Sequence, residues 1–404
     1  MPSTLHSIVE SGLCHGCGGC AASLPAGRIT ISMTDDGFLR PVSQSPLTSD
    51  EMNVVEQVCS GAALQHEKIK PDYNPLWGPI IASRVGYSSD PELRYAGSSG
   101  GVLSSISAAL LDSGEVDFVL QVAASFGDPI GNTPRPSDGR VDVIEAAGSR
   151  YAPSATLADL ELHLASGLRF AVVGKPCDIA TLRRMAQRDV RIDKQIPYML
   201  SFMCAGVPSR KGTYAVLREL GATYEELTSF SYRGRGWPGY TRAILASGEE
   251  RSMTYKQAWG GILSRYVQPR CKICPDGTGE FADIVCADAW YGKDGYPDFS
   301  EAEGRSMILA RTQAGEALIQ RLLANDAIVA NPLSVSEIGL MQPYQENRKR
   351  MVLARLLGLK LLGRRTPRYR KLSLVQLSRK SSLKTSFRNF AGTFVRATQG
   401  KFNA

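Results

Sequence analysis

From Ile81 onward the chain alternates short apolar runs with segments whose apolar residues recur three and four positions apart. "VDFVLQVA" (116–123), "LRFAVVG" (168–174) and "IPYMLSFMC" (196–204) read as buried strands. Between and after them, "SSGGVLSSISAALLDSG" (98–114), "LADLELHLASG" (157–167), "DIATLRRMAQ" (178–187) and "RKGTYAVLREL" (210–220) read as helices. In the first of these, Val102, Ile106, Ala109 and Leu110 share a face, Ser98 or Ser99 is expected to cap the start, and Gly114 closes the end. This alternation predicts an α/β fold with some α+β elements, built on a mainly parallel or mixed sheet. Beyond about Thr228 come a Gly/Arg/aromatic loop, "SYRGRGWPGY" (231–240), and a further strand, "TRAILAS" (241–247).

The flanks have a different texture. Residues 1–80 carry cysteines and turn formers with few regular elements, and "YNPLWGPI" (73–80) reads as a linker. After Gln345 the apolar positions fall at helical spacing inside a basic segment, "MVLARLLGLKLLGRR" (351–365). The expected organisation is a ferredoxin-like cysteine module at 1–80, a core in two parts at 81–168 and 169–345, and a basic amphipathic tail at 346–404.

Composition supports a globular protein: 404 residues, 43% hydrophobic and 21% charged. No apolar run reaches the roughly 18 residues of a spanning helix. "MPSTLHSIVE" lacks the basic and then apolar order of a secretory signal, so a cytoplasmic, reducing setting is expected. The formal charge of +8 is unevenly placed. From Arg348 onward there are sixteen Lys and Arg and no Asp or Glu, which leaves the rest net acidic. Basicity therefore points to a partner for the tail: a membrane surface, with the protein peripheral at the inner membrane face, or an acidic protein. Nucleic acid is the lesser option.

Nine cysteines in a reducing setting point to metal or redox chemistry more than to disulfides. Only four histidines are present, at 6, 15, 66 and 163, so all-thiolate sites are favoured. Cys14, Cys17 and Cys20 stand at strict three-residue spacing in "LCHGCGGCAASLP" (13–25), among glycines that let the backbone curl round a 4Fe-4S cube. A bacterial-type ferredoxin loop puts its fourth cysteine immediately before the proline, and here that position is Leu24. Cys59, the only other cysteine of the N-terminal region, is the expected fourth ligand. A zinc knuckle using the same three cysteines with His15 or Cys59 is the alternative. Cys177 follows one predicted strand, Cys204 ends another, and Cys271 and Cys274 form "CKIC"; these four can meet at the sheet edge where ligands collect in α/β folds. Cys286, in "ADIVCADAW", is left over and reads as core.

"YAGSSGG" (95–101), "GSRYAPS" (148–154), "GKPCDIATL" (174–182), "FMCAGVPS" (202–209), "YRGRGWPG" (232–239) and "RCKICPD…ADIVCADAW" (270–290) occur in order. Together they resemble the family of coenzyme F-420 hydrogenase and dehydrogenase beta subunits, which includes 7-hydroxymethyl chlorophyll a reductase. The resemblance runs from about residue 10 to 310. It implies a flavoprotein core carrying FAD, with two 4Fe-4S clusters, a ferredoxin or another electron-transfer protein as donor, and a small-molecule substrate. By motif it places the cluster nearest the flavin on Cys177, Cys204, Cys271 and Cys274. Two positions depart from the pattern: Leu24, and Ala287 where a glycine is expected.

On that reading Ser98, Ser99, Gly100 and Gly101 would meet the FAD pyrophosphate at a helix start, with Tyr151 also binding the cofactor. Lys175, beside Cys177, would set a positive charge near the flavin ring and act in catalysis. Arg233 and Arg235, with Trp237, would hold an anionic substrate or stack on a ring. No G-x-G-x-x-G follows a strand, and no Ser-His-Asp or zinc-hydrolase motif is present. The expected activity is an FAD- and iron–sulfur-dependent oxidoreductase. The alternatives are an electron-relay beta subunit of a larger complex, without a substrate of its own, and a zinc-stabilised α/β binding protein.

Overall fold

The computed structural model describes residues 4–67, 72–293, 296–400 and 402. Its centre is an eight-stranded mixed sheet. In chain order the strands are β1 (Ala82–Ser88), β2 (Phe118–Ser125), β3 (Asp128–Ser137), β4 (Phe170–Gly174), β5 (Met199–Phe202), β6 (Ile284–Asp288), β7 (Ser306–Ala310) and β8 (Ile328–Pro332). They lie side by side as β8-β1-β7-β6-β5-β4-β2-β3. The four strands β2, β4, β5 and β6 run parallel. Strand β3 pairs antiparallel on one edge, and β7, β1 and β8 alternate on the other.

Alternation along the strands splits the core into two layers, because successive side chains point to opposite faces. Phe118, Leu120, Phe170, Val172, Val285 and Ala287 join one apolar cluster with Ile179 and Leu182 of the helix Pro176–Ala186. Val119, Ala171, Val173, Ile284, Cys286 and Ile308 join the other, under Val102, Ile106 and Leu110 of the helix Val102–Asp112. One sheet thus takes strands from both sides of residue 168. A three-stranded antiparallel sheet, Leu227–Ser231, Tyr240–Leu245 and Glu250–Thr254, stands beside it.

Some local expectations change. The linker at 73–80 is a small hairpin, Tyr73–Asn74 against Gly78–Pro79, with Trp77 buried. The carbonyl oxygens of Trp77 and Pro79 both accept from Arg311. The segment expected as a tail opens with a helix, Pro343–Leu361, whose Gln345, Arg348 and Lys349 are buried. Its strand Arg368–Arg370 pairs with Ala63–Gln65, and Val352, Leu356, Ala397 and Phe402 share a core with Leu5, Ile8, Leu13 and Val55. The first and last parts of the chain therefore form one packed unit. No helix among the described residues is long and apolar enough to cross a membrane.

Candidate functional site

The three-cysteine loop is held in place by close backbone approaches. Gly16 and Gly18 take φ of 76° and 85°, the left-handed region, and a Cβ on either would collide with the Leu39 carbonyl oxygen or with Ala158 N. The Leu157 amide donates to the Cys17 carbonyl oxygen at 2.8 Å. With the loop so pinned, the Gly16 and Gly19 amides reach the Cys14 and Cys17 sulfurs at 3.4 Å. Cys59 arrives from the helix Ser49–Val58 as its C-terminal cap. At Gly61, just beyond, a Cβ would meet both the Leu13 carbonyl oxygen and Cys59 Sγ, so this turn folds back on the loop. Burial pushes the Cys14, Cys17 and Cys20 thiols up, and each also feels Cys59. The structure thus brings Cys59 to the triplet. Leu24 packs against the same apolar core as Cys14, Cys20 and Cys59.

The second group forms at the carboxyl edge of the parallel strands. Cys177 lies in the first turn of the helix after β4, and Cys204 follows β5, its parallel neighbour. Cys271 and Cys274 sit on and just past the short helix Pro269–Lys272, and the Cys274 amide donates to the Cys271 carbonyl oxygen. Burial raises the Cys177 and Cys274 thiols and takes Cys204 to about 12, with Cys271 and other thiols adding repulsion. Such thiols stay protonated at neutral pH unless a metal centre replaces their protons. All nine cysteines are free of disulfides.

Three buried arginines surround the thiols, and no local pattern in the sequence announces them. Arg348 donates to the Cys204 carbonyl oxygen at 2.9 Å, and Arg270 to the carbonyl oxygens of Ser60 and Gly61. Arg40 lies near Cys14 and Cys271. Arg40 Nη2, Arg270 Nη1 and His15 Nδ1 are buried without a protein partner. Two sets of four convergent thiols, ringed by cations with spare N–H groups, fit anionic thiolate-held clusters. His15 Nε2 lies 2.8 Å from Ser60 Oγ, burial among Arg270, Lys175 and Arg40 lowers its pKa well below the usual value, and one ring nitrogen lies within 4.8 Å of the Cys177 sulfur and an Asp178 carboxylate oxygen.

Beside the second thiol set, at the carboxyl ends of β4, β5 and β6, opens a cavity of about 490 Å³. Cys204 and Lys175 line it, so it adjoins the thiols directly. Lys175 Nζ donates to the Ser154 hydroxyl at 2.7 Å and carbonyl oxygen at 3.1 Å, and pairs with Asp178 at 2.8 Å. Burial alone would lower its pKa, but Asp178 and Cys177 raise it, so the amine is charged. Arg233 is gripped by Asp288 through two bonds of 2.9 and 3.0 Å and by the carbonyl oxygens of Ser98 and Pro238. Trp237 Nε1 donates to the same Asp288 at 2.7 Å. Tyr151 lies 3.4 Å from Arg233 and packs on Trp259, 4.7 Å between ring centres. Arg150, Lys175, Arg233 and Lys256 face the cavity against one carboxylate, Asp288, so the space suits an anionic ligand with a flat ring.

Three expected residues behave differently. Arg235 is exposed, with φ of 54°, and lies outside the cavity wall. Ser98 and Ser99 line the cavity but do not cap the helix; Gly101, left-handed at φ 74°, precedes it instead. Ser99 Oγ and the Gly100 amide both bond Ser306 Oγ at 2.9 Å, and Ser98 Oγ bonds Ser149 Oγ at 2.7 Å. The Gly100 amide and the two serine hydroxyls thus tie this turn to Ser306 of β7 and to Ser149. Sequence reasoning also missed the aromatic wall of Tyr255, Trp259, Trp290 and Phe299. The wider turn of the π-helix Lys256–Ile262, which carries Trp259, is a feature common at functional sites but has no sequence signature.

Comparison with known proteins identifies the family and the fold. Residues 84–161 match the family model for the N-terminal part of the coenzyme F420 hydrogenase/dehydrogenase beta subunit, and residues 167–336 match the model for its C-terminal part. A coenzyme F420-dependent sulfite reductase of Methanocaldococcus jannaschii is 25% identical over 78% of this chain, which spans only 46% of that longer protein. A subunit of the F(420)H(2) dehydrogenase of Methanosarcina mazei is 23% identical, over 82% of this chain and 88% of its own. A chain in the structure of the F420-reducing [NiFe] hydrogenase complex from Methanosarcina barkeri shares the fold, with a TM-score of 0.57 and 19% identity. It is covered over 97% of its length and covers 73% of this chain. The expectation of FAD is thereby corrected. The coenzyme carried in the names of the family and these relatives is F420, and in the Ser-Ser-Gly-Gly turn offered for the FAD pyrophosphate the Gly100 amide is already bonded to Ser306 Oγ.

Proposed function

The chain belongs to the family of coenzyme F420 hydrogenase/dehydrogenase beta subunits, and from that premise we propose an oxidoreductase that moves electrons between thiolate-held iron–sulfur centres and a coenzyme of the F420 type in the cavity. One observation carries this reading: Cys204 belongs to the second thiol set and also lines the cavity, so electron carrier and coenzyme would be immediate neighbours. Bound there, the clusters would supply one-electron transfer and the coenzyme hydride chemistry, with two clusters together storing the two electrons of one hydride.

The chain's own groups have definite tasks in this reading. Cys14, Cys17, Cys20 and Cys59 would hold one cluster, and Cys177, Cys204, Cys271 and Cys274 the other. Arg40, Arg270 and Arg348 would offset their negative charge. Lys175, its N–H groups held by Ser154 and Asp178, would set a fixed positive charge near the coenzyme and the second cluster. Arg233 is immobilised by Asp288, Ser98 and Pro238, so it would offer a fixed positive surface without losing rotamer freedom on binding. Tyr151 and Trp259 would flank the ring.

Anaerobic purification tests this directly. About eight iron and eight sulfide per chain, with broad visible absorption, are expected for two cubes. The reduced protein should bind coenzyme F420, quench its fluorescence and reduce it. Zinc in place of iron would overturn the redox reading in favour of a zinc-stabilised binding protein. Turnover of a further small molecule would separate an enzyme with its own substrate from a relay subunit that serves a partner redox protein.

A further inference from the structure

The C-terminal helix Leu383–Thr398 lies alongside Pro343–Leu361 with one side buried and another bare. Thr393 and Ala397 face inward, and a Cβ on Gly358 would come 2.9 Å from the Phe390 carbonyl oxygen. Arg355 bonds Asn389, and Arg364 donates to the Ala397 carbonyl oxygen, so the contacts advance together and the helices run parallel. At about 100° per residue, Leu383, Phe387, Phe390 and Phe394 fall within an arc of about 60°. This arc lies to one side of the buried seam. Leu383 is 89% exposed and Phe387 69%, and Phe387, Phe390 and Phe394 stand in a row with ring centres 6.3 and 6.4 Å apart.

The neighbouring helix extends this face. In a parallel pair, Leu357 and Leu361 lie on the side of the seam away from the Arg355–Asn389 bond, which is the side of Phe390 and Phe394. They are 49% and 70% exposed. Exposed Lys384 and Arg388 lie about 60° and 100° beyond Phe387 on the same wheel, and Lys360 and Arg379 on the adjoining helices, with Lys380 just past the second, are exposed too. No Asp or Glu occurs from Arg348 to the end. A convex ridge of leucine and phenylalanine, bordered by one sign of charge, lacks the mixed polar rim of a protein interface. It has the make-up of a helix lying in a bilayer interface.

We propose that this face seats the protein on an anionic lipid surface, the rings entering the acyl boundary and the cations meeting headgroup phosphates. The surface lies outside both thiol sets and the cavity, so the inference stands independently of the cofactor reading. Flotation of the purified full chain with vesicles tests it, comparing pure phosphatidylcholine with phosphatidylcholine containing about 30% phosphatidylglycerol. Binding should be about tenfold or more stronger on the anionic vesicles and should weaken as salt is raised. The double variant Leu383→Ser/Phe387→Ser and the charge reversal Lys384→Glu/Arg388→Glu should each lose about tenfold in binding, with the melting temperature and iron content of the parent protein. Equal binding to both vesicle types, no flotation, or full binding by either variant would overturn the proposal. So would a dimer in sedimentation equilibrium that the Leu383→Ser/Phe387→Ser variant dissolves, because a second copy would then cover the face.

Discussion

The Ser60 hydroxyl donates to the Cys177 carbonyl oxygen at 3.0 Å, joining the turn after Cys59 to a residue 117 positions later. Its single hydrogen is used there, so His15 Nε2 at 2.8 Å and the Thr181 hydroxyl at 2.9 Å are the donors to Ser60 Oγ. The Cys17 thiol in turn reaches Thr181 at 3.7 Å. One buried serine thus links the backbones of the two thiol groups. Ser60→Ala leaves a carbonyl, an imidazole N–H and a hydroxyl without their partner, which should cost about 1–3 kcal/mol. No thiol is removed, so the iron content should be unchanged. Urea unfolding beside an iron assay reads both, and an unshifted midpoint would show the link to be dispensable.

Cys59 and Cys286 make a matched contrast. Cys59 sits against the three-cysteine loop, whereas Cys286 pairs across the sheet with Ile308 and its thiol is pushed up to about 12 by burial alone. Cys59→Ala should lose about half of the iron and sulfide while the second cluster stays. Cys286→Ala should keep all of it and lose about 1 kcal/mol for a small core cavity. Iron and sulfide analysis of the two variants, purified anaerobically side by side, decides the assignment. Equal losses in both would argue against it.

How far these groupings can be read from sequence depends on the range of the interactions involved. The βα alternation is local, so "LRFAVVG" and "IPYMLSFMC" suffice to place Cys177 and Cys204 on neighbouring strand ends. The triplet spacing is local too. The hydroxyl partners of the Ser-Ser-Gly-Gly turn are not legible in its local sequence, because Ser306 and Ser149 lie 207 and 51 residues away. Arg40, Arg270 and Arg348 become thiol neighbours only once the N-terminal unit, the sheet edge and the helix Pro343–Leu361 have packed together. That helix reads as a solvated basic tail because the acid that neutralises Lys349, Glu280, lies 69 residues upstream.

Trp259 forms part of the cavity wall, tilted at 44° to Tyr151. It is half-buried and reaches the space from the π-helix, outside the two apolar layers of the main sheet. Trp259→Ala removes one flat surface and no charged group. Loss of about 1.4 kcal/mol of ring contact corresponds to a coenzyme Kd about ten times higher. Iron content should be unaffected. Fluorescence titration with coenzyme F420 measures the change, and an unaltered Kd would place the ring elsewhere in the cavity.

Lys349 and Glu280 form a fully buried pair at 2.5 Å that fastens the helix Pro343–Leu361 to the loop before β6. His66 at 2.8 Å and Tyr73 at 3.1 Å complete the shell of Glu280, with Asp276 and Arg311 nearby. Burial would raise the carboxyl pKa, but Lys349 and His66 outweigh it and hold Glu280 at about 2. Its folded value lies below the unfolded one near 4.3, so its contribution to stability is complete above that pH and is lost as pH falls toward 2. Lys349→Met alone strands a buried carboxylate and should cost about 3–5 kcal/mol. Pairing it with Glu280→Gln should recover much of that loss, because the stranded charge is then gone. Urea midpoints measured from pH 6 down to about 3 should fall less steeply for the double variant than for the parent protein. Parallel slopes would show that acid unfolding is set by other carboxylates.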